Sequence, residues 1–316
     1  MKRNGTSFNL NDQSRRKRFL LGIKRSWQLY ILLLPALAFV LIFQYFPLYG
    51  VQIAFRDYMP AKGISGSTWV GLKHFKYFIH LPQFQTLLRN TILISVYSLL
   101  WGFPVPIILA LLLNEVKVPW FKKLIQNLTY APYFISTVVI VSMLFNFLSP
   151  TNGIVNVLLN KLGIESIDFM GSKQYFRSLY IGSGIWQSTG WSSIIYLGAL
   201  SGVDPELHEA AQIDGASRLQ RIWHINLPCI RPTIVMLLIL SLGGILGVGF
   251  EKIYLMQNPL NAEVSEVIST YVYKVGIQGA KFSYTTAIGL FNSVINFLLL
   301  LIVNKVAKKL TETSLF

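Results

Sequence analysis

Charged side chains are scarce in this sequence, and apolar ones are abundant. Of the 316 residues, 13% are charged and 53% are hydrophobic, whereas a typical soluble domain has about 25% charged residues. The apolar residues lie in long charge-free runs, and a helix needs about 20 such residues to cross the hydrocarbon core of a bilayer. A water-soluble globule of this size is excluded, and an integral membrane protein is predicted.

Cysteine and acidic residues are also few. The single cysteine, Cys229, cannot form an internal disulfide, and we expect it to be an inert small residue. The 28 Lys and Arg residues outnumber the 13 Asp and Glu residues. Most of the basic residues lie between the apolar runs, where membrane-orientation signals belong, so we expect no nucleic-acid partner. The sequence also lacks a Walker A lysine loop and any separate soluble domain long enough to be an ATPase.

Six charge-free runs predict an all-α, polytopic membrane protein with six transmembrane helices. The runs are 29–55, 90–114, 124–160 (with its helix ending near Pro150), 178–203, 232–250 and 282–304. The first run is too long for the cleaved part of a signal peptide, so we interpret it as a spanning helix. The predicted organisation is a basic cytoplasmic tail at 1–28, a six-helix transmembrane domain at 29–304 and a cytoplasmic tail at 305–316.

The distribution of basic residues predicts the orientation. With the N-terminus inside, the inner segments hold 17 of the Lys and Arg residues and the outer segments hold 11. The inner loops are also the shorter ones, so the density of positive charge favours the inside more than the count does. Both termini are therefore predicted to be cytoplasmic.

The segment 204–228, between the fourth and fifth runs, has strong helix boundary signals. Asp204 is a good N-cap, and Pro205 suits the first helical position. Gly215 follows as a helix stop that permits a left-handed turn. A second short helix is predicted from about Ser217 to Asn226.

The apolar spacing of that second helix is amphipathic. Leu219, Ile222 and Trp223 fall on one face, and we expect Leu219 and Trp223 to pack against the protein's own spans. Pro228 and Pro232 are expected to end the helix and to begin the next span. Spacing alone leaves three alternatives open: a compact protruding element, an ordinary helical loop, or an amphipathic helix that lies on lipid.

The same segment carries a family signature. The string from Glu209 to Ala216, EAAQIDGA, followed by Ile225-Asn226-Leu227-Pro228, closely resembles the EAA motif of binding-protein-dependent ABC importer permeases. The likeness is closest to the maltose-type carbohydrate branch. The C-terminal stretches 266–273 and 282–296 resemble permeases for pectin-derived or other plant-polysaccharide oligosaccharides. We call residues 204–228 the EAA segment.

The resemblance implies a type I ABC importer permease fold and a set of partners. The chain would form half of an oligosaccharide path in a plasma membrane, which we expect to be bacterial. Its expected partners are a second permease, in a heterodimer, two cytoplasmic ATPase subunits and an extracellular solute-binding lipoprotein. The chain itself would hold no cofactor and catalyse no reaction, because ATP and Mg would be bound by the ATPase subunits.

The resemblance also assigns a role to the motif residues. In such importers the EAA segment forms a coupling helix that sits in a groove of the ATPase and transmits its closing to the spans. The residues expected to make this ATPase-coupling contact are Glu209, Ala210, Ala211, Asp214, Gly215 and Ala216.

Polar and aromatic residues within the spans are the candidates for the substrate path. The central parts of the six runs hold no charged residue or histidine, which argues against ion coupling and favours a neutral sugar. Sugars present apolar faces that stack on aromatic rings and hydroxyls that need polar partners. The path candidates are Trp186, Gln187, Trp191, Tyr196, Asn292 and Asn296. Each of them also has an alternative role, either in contacts between membrane helices or in the aromatic belt at the membrane–water interface.

Other features favour no other class of site. His208 and His224 are too far apart, and lack neighbouring ligands at suitable spacing, for a zinc site, so we expect no metal. An ion-coupled carrier, a channel and a membrane-embedded enzyme remain the alternative functions. The sequence lacks the feature that each would need: intramembrane charges for the carrier, filter loops for the channel and a catalytic cluster for the enzyme. Four glycines at 243–249 are expected to permit close helix packing or bending.

Overall fold

The computed structural model describes residues 26–311, in two compact units with their boundary between Val70 and Gly71. Most of the predicted tail at 1–28 and the last five residues of the predicted tail at 305–316 lie outside the described residues. Helices dominate both units, so the prediction of an all-α protein is confirmed, with one two-stranded hairpin as the exception.

The first unit consists of one long helical rod and a small hairpin. The rod begins as α1 (Trp27–Val40), continues through a π turn (Leu41–Tyr45) and ends as a 3-10 segment (Phe46–Phe55). The hairpin pairs β1 (Arg56–Asp57) antiparallel with β2 (Thr68–Trp69), and the connection holds a 3-10 turn (Pro60–Lys62) and α2 (Gly63–Gly66). The Arg56 guanidinium donates to the Ser67 carbonyl at 2.8 Å, which ties the two strands together.

The second unit holds the remaining helices. In chain order they are α3 (Lys73–Ile79), α4 (Phe84–Gly102), α5 (Pro104–Glu115), α6 (Pro119–Tyr130), α7 (Thr137–Phe147), α8 (Ile154–Lys161), α9 (Lys173–Leu200), α10 (Pro205–Ile213), α11 (Arg218–Arg221), α12 (Leu227–Gly243), α13 (Phe250–Met256), α14 (Ala262–Ser265), α15 (Ile268–Val272) and α16 (Phe282–Thr311). A 3-10 turn (Ala131–Phe134) follows α6, and π turns precede α12 (Ile222–Asn226) and follow α15 (Tyr273–Gln278).

Within residues 26–311, four helical stretches are long and apolar enough to cross a membrane. They are Trp27–Phe55, Phe84–Glu115, Arg218–Gly243 and Phe282–Lys309. The third predicted run is bent by 100° between Pro119–Phe134 and Thr137–Phe147, and counts as a fifth span if the pair is one crossing. α9 contains most of the fourth run, up to Leu200, and has 28 residues, which is about 42 Å of helix. It is too polar to qualify by composition, so the sixth span stays a prediction.

Three apolar clusters hold the second unit together, and α9 passes through two of them. One cluster surrounds Phe176 near the start of α9 and includes Ile94 and Ile253. Another surrounds Tyr196 and Leu200 near its end. The third packs Phe78 of α3 against Ile288 of α16. Burying apolar side chains at both ends of α9 fixes that helix in place and leaves its middle for polar groups.

The glycine cluster marks a break after α12. Residues 244–249 are not helical, and the Leu246 amide donates to the Asn296 side-chain oxygen of α16 at 3.2 Å. A Cβ at Gly243 would lie 2.5 Å from Leu300 Cδ1, so glycine permits the close contact between α12 and α16. Both expected roles of the cluster, close packing and bending, are present.

Candidate functional site

A cavity of about 720 Å³ lies between α4, α5, α9, α12 and the break at 244–249. Its size is that of a site for a small molecule. Polar hydroxyls, aromatic rings and exposed backbone of the break share its wall. The residues that line the cavity include Ser98, Gly102, Tyr180, Ser188, Trp191, Tyr196, Gly244 and Gly249. Irregular backbone within a transporter is tolerated where it lines such a cavity.

Trp191 is the most prominent aromatic side chain in the wall. Its ring stacks on Tyr133, with centroids 4.7 Å apart and planes at 5°, and the edge of Phe134 packs against it. Both partners come from the bend between α6 and α7. The bend therefore holds a preorganised aromatic platform on the face of α9 that meets the cavity.

A smaller recess of about 310 Å³ adjoins the cavity and shares Ser98, Gly102, Tyr180 and Ser188 with it. Gln187 lines this recess, and its amide donates to the Ile135 carbonyl at 3.0 Å. That bond ties the middle of α9 to the start of α7. The recess and the cavity thus form adjoining compartments along one side of α9.

Only three of the six path candidates lie at these compartments. Trp191 and Tyr196 line the cavity, and Gln187 lines the recess. Their role in binding stays a prediction.

The other three candidates have different surroundings. Trp186 lines neither compartment and is half exposed. Asn296 accepts the bond from Leu246 described above, so it caps the break rather than facing the cavity. The Asn292 side-chain oxygen is buried without a hydrogen-bond partner in the described part of the chain. These three residues are not brought together with the first three.

The recess contains a cation that the sequence analysis missed. Lys252, in α13, is 8% exposed. Its ammonium donates to the Tyr180 carbonyl at 3.1 Å and lies 5.2 Å from the centroid of the Tyr180 ring. Burial lowers the pKa of Lys252 to about 8. The wall of the recess therefore includes a basic group, which comes from beyond the end of the run 232–250. The signal in the sequence was the glycine cluster just before Lys252, which breaks the run and turns the chain back toward α9.

A polar network at the starts of α4 and α9 anchors the segment that follows α13. The Asn90 amide donates to the Glu263 carbonyl at 2.8 Å and to the Glu266 carbonyl at 3.0 Å, and Arg177 donates to Asn90 at 3.1 Å. Lys173 hydrogen-bonds to the Glu263 carboxylate and holds the pKa of that exposed group below its usual range. These bonds join α4 and α9 to the chain beyond α13.

The EAA segment begins as predicted. The Asp204 carboxylate accepts from the Glu206 amide at 3.0 Å, and Pro205 is the first residue of α10. At the other end, Gly215 has a φ of +78°, and the Ala216 amide donates to the Ala211 carbonyl at 2.8 Å. The predicted N-cap and the left-handed stop are both confirmed. They define a short helix with two fixed ends.

The second half of the EAA segment differs from the prediction. Ser217 and Gln220 form a capping box at the start of α11, which the sequence S-x-x-Q could have revealed. The helix then runs without interruption from Arg218 to Gly243. The expectation that Pro228 and Pro232 end it is wrong. The π turn Ile222–Asn226 widens the helix just before Pro228, and such a turn accommodates the bond that proline cannot make.

The apolar face of this helix is also not where we expected it. Leu219 is 70% exposed and Trp223 is 67% exposed, so the expectation that they pack against the protein's own spans is wrong. Of the three apolar residues predicted to share a face, Ile222 alone joins the cluster around Leu200. Ile213, at the end of α10, is 87% exposed. The EAA segment therefore presents apolar side chains on its surface.

The ATPase-coupling candidates lie on the same surface. Glu209, Ala210, Asp214 and Gly215 are exposed, and Ala211 and Ala216 are half-buried. The geometry brings all six together around one helix and one turn. Their contact with a partner stays a prediction. Elsewhere in residues 26–311, no three His, Cys, Asp or Glu side chains cluster as a metal site would require.

Known proteins resemble this chain over most of its length. The model of the family "Binding-protein-dependent transport system inner membrane component" matches residues 102–312. The polygalacturonan/rhamnogalacturonan transport system permease protein YteP of Bacillus subtilis is 46% identical, over 96% of this chain and 95% of that protein. Protein LplB of the same organism is also 46% identical, over 94% of each chain.

A solved structure has the same fold. It is a bacterial alginate ABC transporter in complex with an alginate pentasaccharide-bound periplasmic protein. One of its chains superposes with a TM-score of 0.86 at 42% sequence identity, covering 94% of this chain and all of that one. The fold of this chain is thus similar to that of a solved transporter chain.

Proposed function

The chain belongs to the inner membrane components of binding-protein-dependent transport systems, the permease subunits of ABC importers, and from this we propose that it imports oligosaccharides released from complex polysaccharides. The single observation that carries the sugar assignment is the cavity wall. It combines the stacked Trp191–Tyr133 platform with the hydroxyls of Ser98 and Ser188. Relatives named for polygalacturonan and for alginate support the same assignment.

In this importer, the EAA segment would transmit the closing of the ATPase subunits to the membrane-spanning helices. ATP and Mg would bind to two cytoplasmic ATPase subunits, and the capped helix α10 would fit into a groove of one of them. Glu209 would make a polar contact, while Ala210 and Ala211 would allow close approach and Asp214, Gly215 and Ala216 would shape the turn. The exposed Ile213, Leu219 and Trp223 support this role, because exposed apolar side chains in a cluster are typical of interaction sites.

The same proposal includes the other partners and the orientation. A second permease would complete the path in a heterodimer, and an extracellular binding lipoprotein would deliver the sugar. An alginate transporter solved with a periplasmic protein supports the delivery step. The excess of basic residues in the inner segments supports cytoplasmic termini in a bacterial plasma membrane.

The test is reconstitution of the complete complex in nanodiscs. The chain is purified with its co-expressed permease, its ATPase subunits and the binding protein from the same gene cluster. We expect the ATPase activity to rise when the binding protein is loaded with an oligosaccharide, and to stay basal with monosaccharides or amino acids. An ion-coupled carrier, a channel or an enzyme would instead act without any nucleotide-hydrolysing subunit. Failure of such a subunit to purify with the chain would contradict the importer.

The path is tested separately by a matched pair of tryptophans. Trp191 lines the cavity and Trp186 does not, although both lie on α9. We expect Trp191→Ala to weaken oligosaccharide-stimulated ATPase activity and Trp186→Ala to leave it unchanged. Equal effects of the two substitutions would remove Trp191 from the path.

A further inference from the structure

Lys252 is a buried ammonium whose hydrogen-bonding capacity is mostly unused. It is more than nine-tenths buried, and its one hydrogen bond, at 3.1 Å, goes to a backbone carbonyl of α9. An ammonium has three protons to donate. No carboxylate lies within ion-pair distance of it in the part of the chain that the structure describes.

Such a charge is unfavourable unless something pairs with it. Removing an ammonium from water without a counter-charge costs several kcal/mol in order of magnitude, so buried charges in proteins are nearly always paired. The lowered pKa of Lys252 reflects this cost. The Tyr180 ring faces the ammonium and offsets part of it. The remaining donors suit an anionic partner, and no carboxylate among residues 26–311 forms an ion pair with Lys252.

The surroundings leave room for that anion. Gly184 lies opposite the ammonium, and a Cβ there would be 3.5 Å from Lys252 Nζ. The recess also contains Gln187, Ser98 and Ser188, whose polar groups can bind the hydroxyls of a sugar. Because the recess shares four residues with the main cavity, a ligand in the cavity can extend one substituent to Lys252.

We propose that Lys252 binds a carboxylate of the substrate in the translocation path, so that the imported oligosaccharide contains uronate units. This inference rests on the proposed function and deepens it, because it names the class of sugar and the residue that selects it. The other possible source of a carboxylate is an acidic side chain of the partner permease, and the experiment below distinguishes the two.

The experiment compares one sugar backbone in charged and neutral form. Binding of trigalacturonate and of its fully methyl-esterified form is measured by tryptophan fluorescence on the purified complex without binding protein. Uptake of trigalacturonate is then measured in proteoliposomes. We expect Lys252→Gln to weaken binding of the charged sugar at least about tenfold, as loss of a buried charge partner does. Binding of the ester should change less than about twofold, and Lys252→Arg should restore part of the affinity for the charged form.

Two further variants keep the test informative. Lys281→Gln removes an exposed lysine just before α16 and should change neither affinity. Gly184→Asp keeps Lys252 but places a carboxylate beside it, so it should preserve or raise thermal stability while it weakens binding of trigalacturonate. That variant answers the question even if Lys252→Gln does not assemble.

The outcomes separate this inference from the proposed function. If wild-type complex responds only to neutral oligosaccharides, or if Lys252→Gln affects the charged and esterified sugars equally, Lys252 is not a substrate site and the importer stands. An equal loss for both sugars together with weaker assembly of the two permeases would show that a partner carboxylate pairs with Lys252. If no oligosaccharide stimulates the wild-type complex, the proposed function fails first, and this inference fails with it.

Discussion

The EAA segment and the cavity differ in how far apart in sequence their parts lie. In the EAA segment, every bond that shapes α10 and its turn joins residues at most five positions apart, from Asp204–Glu206 to Ala211–Ala216. In the cavity, the bond from Lys252 to Tyr180 spans 72 positions, and the bond from Leu246 to Asn296 spans 50. A contiguous string can therefore specify the first region but not the second.

This difference matches the two proposed tasks. A helix that docks onto an ATPase subunit needs one rigid conformation, and helix caps formed by near neighbours provide it. A path that admits one class of sugar needs groups converging from several helices, and only tertiary packing brings them together. Substitutions in the EAA segment should therefore change coupling for every substrate, whereas substitutions in the cavity should change selectivity.

The largest effect is expected for Gly215→Val. The φ of +78° at Gly215 lies in the left-handed region, which costs an ordinary side chain about 1–2 kcal/mol and a β-branched one more. We expect transport and sugar-stimulated ATPase activity to fall at least about tenfold for every sugar tested, with the complex still folded. Gly215→Asn is the control, because Asn tolerates this conformation. Full activity of the valine variant would show that the turn is not needed for coupling.

A smaller effect is expected at the break. Asn296→Leu removes the acceptor of the Leu246 amide and leaves that donor unpaired. The free energy of unfolding should fall by about 1–3 kcal/mol, seen as a lower melting temperature of the detergent-solubilised complex. Asn292→Leu is the matched control. Its buried oxygen already has no partner in the described residues, so this change should be neutral or slightly stabilising. The reverse order of the two melting temperatures would contradict the assignment of Asn296 as the cap of the break.

A substitution in the aromatic platform should change the response to oligosaccharide without changing the coupling to the ATPase. Trp191→Ala removes the ring that stacks on Tyr133, a contact worth about 0.5–1.5 kcal/mol. We therefore expect the KM for oligosaccharide to rise about two- to tenfold while the basal ATPase activity is unchanged. A change in basal ATPase activity would instead show that the platform contributes to coupling and would weaken the contrast between the two regions.

The smallest effect is expected for Asp204→Ala. Removing the N-cap of an exposed helix costs about 0.5–1 kcal/mol, at the low end of the range for caps. Transport should fall by less than about threefold, equally for all sugars. Asp204→Asn should retain activity, because Asn also caps helices. A strong loss with Asn would show that the Asp204 charge itself contacts a partner.

Local patterns predicted more of the fold than of the path. Charge-free runs located the helices 90–114 and 282–304, because burial in lipid is a property of composition. They did not predict the 100° bend in the run 124–160 or the early end of the fifth run at Gly243, since neither changes hydropathy. Lys252 lies just beyond the fifth run and was not among the path candidates, but it lines the recess beside α9.

The sequence by itself determined the membrane class, the family and the shape of the first half of the EAA segment. These features depend on composition and on bonds between near neighbours, which a string of residues displays directly. Only the tertiary structure decided that Leu219 and Trp223 face outward, that the helix continues through Pro228, and that Lys252 lies against Tyr180 with no carboxylate of the described residues beside it. The exposure of Leu219 and Trp223 and the surroundings of Lys252 depend on which distant residues lie opposite. The passage through Pro228 depends on a π turn, which hydropathy does not reveal.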